Sequence, residues 1–254
     1  MSADEGEIKV KSLKKAIDVL NCFIEVQSLG VTEISERLGL YKSNVHDILS
    51  TFQAMNYVTQ SKSTGKYYLG PQILRLNNAL SERYSFLKVA SSAIHSISKE
   101  TGEVVYLTSQ VDRCVYYLDV ACPANTRMPL FNLRSSTSDY LHCTSSGKTM
   151  LAFMSQEARE TYLRQPLERM TEYSITDVDE LRQQLEEIRV RGYAVDRNEN
   201  TLGVSCVGVP VLAMDGCSIG AISISGPSSV FTEERVRELS ELLKRHVKDI
   251  HIAV

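Results

Sequence analysis

The chain has 254 residues, 43% hydrophobic and 23% charged, with a formal net charge of −3, values that fit an ordinary globular protein and not a disordered one. No apolar run approaches the ~18 residues of a membrane span. The start MSADEGEIKVK lacks an apolar signal core, and the six cysteines contain no C-x-x-C pair, so secreted, membrane and disulfide-framework classes are set aside, and a cytoplasmic location with free thiols is expected.

Length suggests one large domain or two unequal ones. Charge is uneven along the chain: residues 8–75 hold nine Lys or Arg against five Asp or Glu, whereas residues 76–254 are acidic. A basic head on an acidic body is the asymmetry of a small nucleic-acid-binding module. An apolar helical pattern runs through Leu13, Ala16, Ile17, Leu20, Phe23 and Ile24 and stops at Gly30. Thr32 is the expected N-cap of a short helix with Glu33 and Glu36 in its first turn, Ile34 and Leu38 inward and Gly39 as its C-cap. A third helix starts near Lys42, with Val45, Ile48, Leu49, Phe52 and Met55 along one face. Two helices joined by a tight glycine turn form a helix-turn-helix, whose later helix enters a major groove.

Tyr57-Val58 and Lys66-Tyr67-Tyr68-Leu69 flank the turn Ser61–Gly65 and read as a hairpin, which makes the unit a winged helix. Lys42, Ser43, Asn44, His46 and Asp47 at the start of the third helix are the candidates for DNA, with Lys62 and Lys66 at the wing for phosphates. Pro71 opens a further helical pattern through Ile73, Leu74, Leu76 and Leu80, and another follows from Phe86 to Lys99, ended by Gly102. The division expected is a winged helix-turn-helix domain over 8–71, a helical linker over 72–84 and an effector-binding domain over 85–254.

Beyond the linker the segments VVYLTSQ and CVYYLDVAC are β-rich around a hairpin at Val111-Asp112-Arg113. Helices are expected at 145–154, 156–163, 178–190 and 232–250, and strands at 193–196, 205–213 and 217–225, the last two joined by a type I′ turn at Asp215-Gly216. The fold class is therefore α+β, an antiparallel sheet with packed helices. Ser145-Ser146-Gly147-Lys148-Thr149 has the end of a phosphate loop, but His142 stands where its first glycine would be. A loop entering a helix there offers N–H groups to a carboxylate. Ser223 and Ser225 lie two apart on one strand, so with Ala221 they give one sheet face a small, polar character. His142 and Cys143 are adjacent on an expected strand and would point to opposite faces, so no catalytic pair is read there. The five histidines show no metal-ligand spacing, and neither a metal, a cofactor nor an enzymatic activity is expected.

The run SLKKAIDVLNCF…GVTEISERLGLYKSNVHDILSTFQAMNYVTQ…GKYYLG resembles the DNA-binding domain of the isocitrate lyase regulator (IclR) family of bacterial transcription factors. The segments LHCTSSGKTMLAF, RGYAVDRNENTLGVSCVGVPV and GAISISGP resemble successive parts of that family's effector domain. Asn44 stands where the family commonly has Thr, and Asp47 where it commonly has Arg, so the operator sequence does not carry over. The resemblance implies a GAF-like effector domain whose pocket is lined by Ser145, Ser146, Asp196, Cys206, Ser223 and Ser225, with Met128 and Phe131 as an apolar wall. It implies a ligand-responsive transcription regulator, a repressor as the leading reading. Its partners would be double-stranded operator DNA and a small carboxylate or hydroxylated acid, and the chain would pair as a homodimer or a dimer of dimers, without a membrane. The rival is a metabolite-binding or enzymatic protein whose head is only a docking module.

Overall fold

A computed structural model describes residues 8–83, 86–123, 139–248 and 250; Met128 and Phe131 lie outside the described residues. The chain divides into two compact units, one ending at residue 84 and one beginning at residue 85. The first holds α1 (Lys11–Glu25), α2 (Val31–Leu38) and α3 (Lys42–Ala54), then β1 (Val58–Gln60) and β2 (Tyr67–Leu69), and α4 (Pro71–Arg83). β1 and β2 pair antiparallel, Val58 opposite Leu69, and Leu29 adds a bridge to Tyr67. Val19, Phe23, Leu29, Ile34, Val45, Leu49, Val58 and Tyr67 form the core that holds the three helices to the hairpin.

Two local expectations change here. On α1 the inward side is Val19 and Phe23, while Leu13, Ile17 and Ile24 are 59%, 44% and 68% exposed. The helix carries apolar residues round much of its surface, and spacing alone does not say which side meets a partner. The cap of α2 is Gly30 and not Thr32: Glu33 reaches back to accept the Gly30 N–H at 2.7 Å. The turn between α2 and α3 is as expected, with Gly39 left-handed at φ 63° and its N–H donating to the Ser35 carbonyl.

The second unit begins with α5 (Phe86–Thr101), β3 (Val104–Val111) and β4 (Cys114–Ala121), and continues after residue 138 with β5 (Asp139–Tyr140). Three helices follow, α6 (Ser145–Ala152), α7 (Gln156–Leu163) and α8 (Val178–Arg191). The chain ends with β6 (Ala194–Arg197), β7 (Val204–Leu212), β8 (Ser218–Pro227) and α9 (Glu233–Val247). The six strands are antiparallel in the order β5-β4-β3-β8-β7-β6. α8 is capped by the Asp177 carboxylate and α9 by Thr232, each with two acids in the first turn where the helix dipole favours them.

Alternation along β8 sorts the two faces of the sheet. Ser223 hydrogen-bonds to Ser146 of α6, so Ala221, Ser223 and Ser225 face α6, and the buried Ile222 and Ile224 turn to the face covered by α5 and α9. α7 and α8 back α6 with an apolar cluster built on Met150, Leu151, Tyr162, Leu181, Leu185 and Ile188. The β7–β8 loop is not a type I′ turn. Gly216 is left-handed at φ 81° while Asp215 is not, and Ala213 N–H donates to Cys217 O at 2.9 Å, which leaves a three-residue loop of Met214, Asp215 and Gly216.

Candidate functional site

In the first unit, Val45 and Leu49 anchor α3 to the core, and this turns Lys42, Ser43, Asn44, His46 and Asp47 outward into solvent. The Asp47 side chain is 83% exposed, 3.7 Å from His46 Nδ1. Tyr41, just ahead of Lys42 and 82% exposed, is a large side chain on this surface that the sequence reading left out. Lys62 lies exposed in the hairpin turn. Lys66 sits in the wing hairpin, its carbonyl accepting the Ser61 N–H across the turn, and its ammonium group forms a half-exposed bridge of 2.9 Å to Glu33 on α2, which braces the wing. The Gly30 N–H, and then Lys66, keep the Glu33 carboxyl below its ordinary value.

In the second unit, a cavity of about 40 Å³ opens where the first turn of α6 lies on the sheet, lined by Ser145, Ser146, Asp196, Cys206, Ser223 and Ser225 together with residues from β3, β4 and the loops. Register explains the convergence. Asp196 is opposite Cys206, Cys206 opposite Ser225, and Gly208 opposite Ser223, so one row after another presents its polar side to α6. At Gly208 a Cβ would come within 3.0 Å of the Ser145 backbone, and only a bare backbone lets the helix start so close to β7. Thr144 caps α6 by accepting the Gly147 N–H at 3.0 Å, and the N–H groups of Ser145 and Ser146 belong to the first turn, which has no intrahelical acceptors.

Within this cavity Ser146 donates to Ser223 at 2.8 Å, and Cys206 and Ser225 share a hydrogen bond at 3.0 Å. Ser145 Oγ and Asn200 Oδ1 are buried with no hydrogen-bond partner among the described residues. Asp196 is almost fully buried and accepts the Glu199 N–H at 2.8 Å. Its carboxyl is pushed up to about 7, by burial first and by the neighbouring Glu199 charge second. Tyr106, Tyr117, Thr144, Asn200 and Thr201 complete the polar wall, and none of these five was singled out from sequence. Asp139 ties part of it together, accepting from Tyr117 at 2.5 Å and from Asn200 at 3.0 Å. The signal for Tyr106 was available: it alternates with Val105 and Leu107 and so shares a face with Thr108.

Behind the cavity, Lys148 is wholly buried and both oxygens of Glu199 lie 2.6 Å from its Nζ. The lysine of the phosphate-loop-like segment is thus neutralised by an internal carboxylate and does not face the cavity. His142 and Cys143 sit in a 3₁₀ turn and not on a strand. His142 Nε2 donates to the Glu168 carbonyl at 2.9 Å, which leaves Nδ1 to accept from the Tyr162 hydroxyl at 2.7 Å. Burial lowers the His142 imidazole and pushes the Cys143 thiol up to about 12. Both side chains are engaged in holding the segment after α7 against the turn.

A family model for the bacterial transcriptional regulator IclR C-terminal domain matches residues 79–252, and one for the IclR helix-turn-helix domain matches residues 12–62. The chain is 29% identical over 249 residues to the HTH-type transcriptional regulator KdgR of Escherichia coli, covering 97% of this chain and 94% of KdgR. It is 28% identical over 242 residues to the HTH-type transcriptional regulator BhcR of Paracoccus denitrificans, covering 95% and 86%. The crystal structure of the Thermotoga maritima IclR has a TM-score of 0.77 and 32% identity, with 94% of this chain and 96% of that one aligned. Two matched models in the same order as the two units leave one reading, and the chain belongs to the IclR family of bacterial transcriptional regulators.

Proposed function

We propose that this regulator represses transcription by binding operator DNA through α3 and the wing turn, and that it responds to a small hydroxylated organic acid held in the cavity beside α6. The observation that carries the effector reading is the pair of buried, unpartnered polar atoms, Ser145 Oγ and Asn200 Oδ1, on the wall of one small cavity. Buried polar groups without partners cost free energy, and a ligand that hydrogen-bonds both recovers it. The helix start favours an acid group on one side. The amide oxygen can only accept, so it asks for a hydroxyl on the other. About 40 Å³ admits only a few water-sized groups, which points to a short acid.

On the DNA side the reading rests on Lys42 and Lys62, with Ser43, Asn44, His46 and Asp47 between them and the bases. A homodimer, with one head for each half-site, is the expected assembly, and the cytoplasm its location. The chain acts as a sensor and not as an enzyme: its buried thiol is held protonated and its buried imidazole is hydrogen-bonded on both nitrogens.

A thermal-shift screen with short carboxylic, hydroxy and sugar acids finds the effector, since a ligand at 100 times its Kd stabilises by about 2.7 kcal/mol. With that ligand, Ser223→Ala and Ser225→Ala each weaken binding by about 0.5–1.5 kcal/mol and leave ligand-free DNA affinity unchanged. Full affinity in the double variant removes both serines from the site.

A further inference from the structure

The described lining of the cavity holds one carboxylate, Asp196, and no cation. Behind it, Glu199 grips Lys148 with both oxygens, and at Asp196 the Glu199 charge outweighs that of the lysine. The other titratable groups around Asp196 are the Cys206 thiol from β7, the Cys143 thiol from the turn before α6 and, in the same cavity, the Tyr106 and Tyr117 hydroxyls of β3 and β4, and burial keeps all four protonated. Farther along, Asp139 of β5 adds a second carboxylate, engaged with Tyr117 and Asn200. An acid entering this cavity as its anion therefore meets a carboxylate at contact distance, with only the partial charge of the α6 N-terminus to offset two negative charges.

We propose that the cavity takes its acid together with one proton from solvent, carried by Asp196, so that the sensor reads acid and pH jointly. This rests on the small-acid reading above. Like charges confined in one desolvated site do not both ionise, and the second is protonated instead. The protonated Asp196 becomes a hydrogen-bond donor to the ligand while its other oxygen keeps the Glu199 N–H. The carboxyl is already poised for this, since burial and the neighbouring Glu199 hold it at about 7. The sign follows. Below that value the proton is in place before the ligand arrives and affinity is flat with pH; above it each complex takes up a proton, and affinity falls about tenfold per pH unit.

Titration calorimetry of the full chain with glycolate and lactate, repeated at pH 6, 7 and 8 in buffers of different ionisation enthalpy, reads proton uptake directly. The expected result is uptake approaching one proton per bound acid at pH 8 and little at pH 6. Asp196→Asn keeps the shape and cannot titrate, so its binding enthalpy becomes independent of buffer. If that variant fails to fold, the buffer dependence of the unaltered protein decides the matter alone. Binding of either acid at pH 8 without proton uptake overturns the proposal and leaves the small-acid reading standing, and uptake that persists in a folded Asp196→Asn protein overturns the assignment to Asp196. If neither acid binds at any of the three pH values, the small-acid reading itself fails, and the proposal with it.

Discussion

The two units place their working polar groups in opposite environments. On the head, Lys42, Asn44, Asp47 and Lys62 stand in solvent on a scaffold held by apolar residues beneath them. In the second unit Ser145, Ser146, Asp196 and Ser223 are buried, and α6, which carries the first two, also carries Lys148 of an internal ion pair. A solvated group is replaced at little cost to folding, and its worth appears only when a partner arrives. A buried one is part of the packing, so the effector site and the stability of its domain are not separable. A surface that must read long DNA can be assembled late on a rigid support, whereas a cavity for a few heavy atoms has to be built from the core itself.

The contrast is broken or sharpened most strongly at Lys148. Replacing it with Met leaves the Glu199 carboxylate buried and unpaired, which costs about 3–5 kcal/mol. The double replacement Lys148→Met with Glu199→Leu removes both charges and recovers most of that loss, since a buried pair is worth little against apolar packing of similar volume. Lys42→Met on the head stays within about 0.5 kcal/mol. Urea unfolding of the full chain followed by circular dichroism compares the three, and a Lys148→Met protein as stable as Lys42→Met would mean that the pair is not buried as described.

A smaller effect is expected at Gly147. Alanine is ordinarily the better helix residue by about 1 kcal/mol. Here its Cβ would run into the backbone of Leu141, in the turn that leads into α6. Gly147→Ala is therefore expected to destabilise by about 1–3 kcal/mol, against propensity, because backbone cannot move aside as a side chain can. The same measurement checks it, and a stabilised variant would show that α6 does not approach the turn so closely.

Much of this arrangement was legible in the sequence, unequally. The turn at Gly39, the core of α3 and the hairpin after it follow from local spacing, because a helix-turn-helix is built from near neighbours. The side of α1 that packs did not, since Leu13, Ile17 and Ile24 are as apolar as Val19 and Phe23 and only the fold decides between them. In the cavity, the six lining residues came from resemblance, and only the serine pair on β8 and the helix entry at Ser145-Ser146 carried a local signal of their own. The Lys148–Glu199 pair was invisible for a different reason. Its partners are 51 residues apart in the chain, and nothing near Lys148 says that its helix will be buried on every side. The bridge from Lys66 to Glu33 was hidden in the same way, because it joins elements that only the folded wing brings together.

The smallest expected effect, and the one that tests the exposed half of the comparison, belongs to Asp47. A carboxylate on a helix facing DNA is repelled by phosphate, yet it can accept from cytosine N4 if it reaches a base edge. The side chain stands 83% exposed with the His46 imidazole 3.7 Å away, and no other described residue holds it in one direction. A group so free gives little base specificity, so Asp47 is expected to act as a plain negative charge. Asp47→Asn, which removes that charge with little change of shape, should strengthen binding to every sequence by up to about fivefold, the scale of a solvent-exposed charge interaction, and leave base preference alone. Lys42→Ala should do the reverse, weakening all sequences together and lowering the salt slope by about one phosphate contact. Site selection on the Asp47→Asn protein checks the first against the second. If preference relaxes at one symmetric position, by about 1–3 kcal/mol, then Asp47 reads a base, and a side chain that is loose in the free head becomes ordered on DNA.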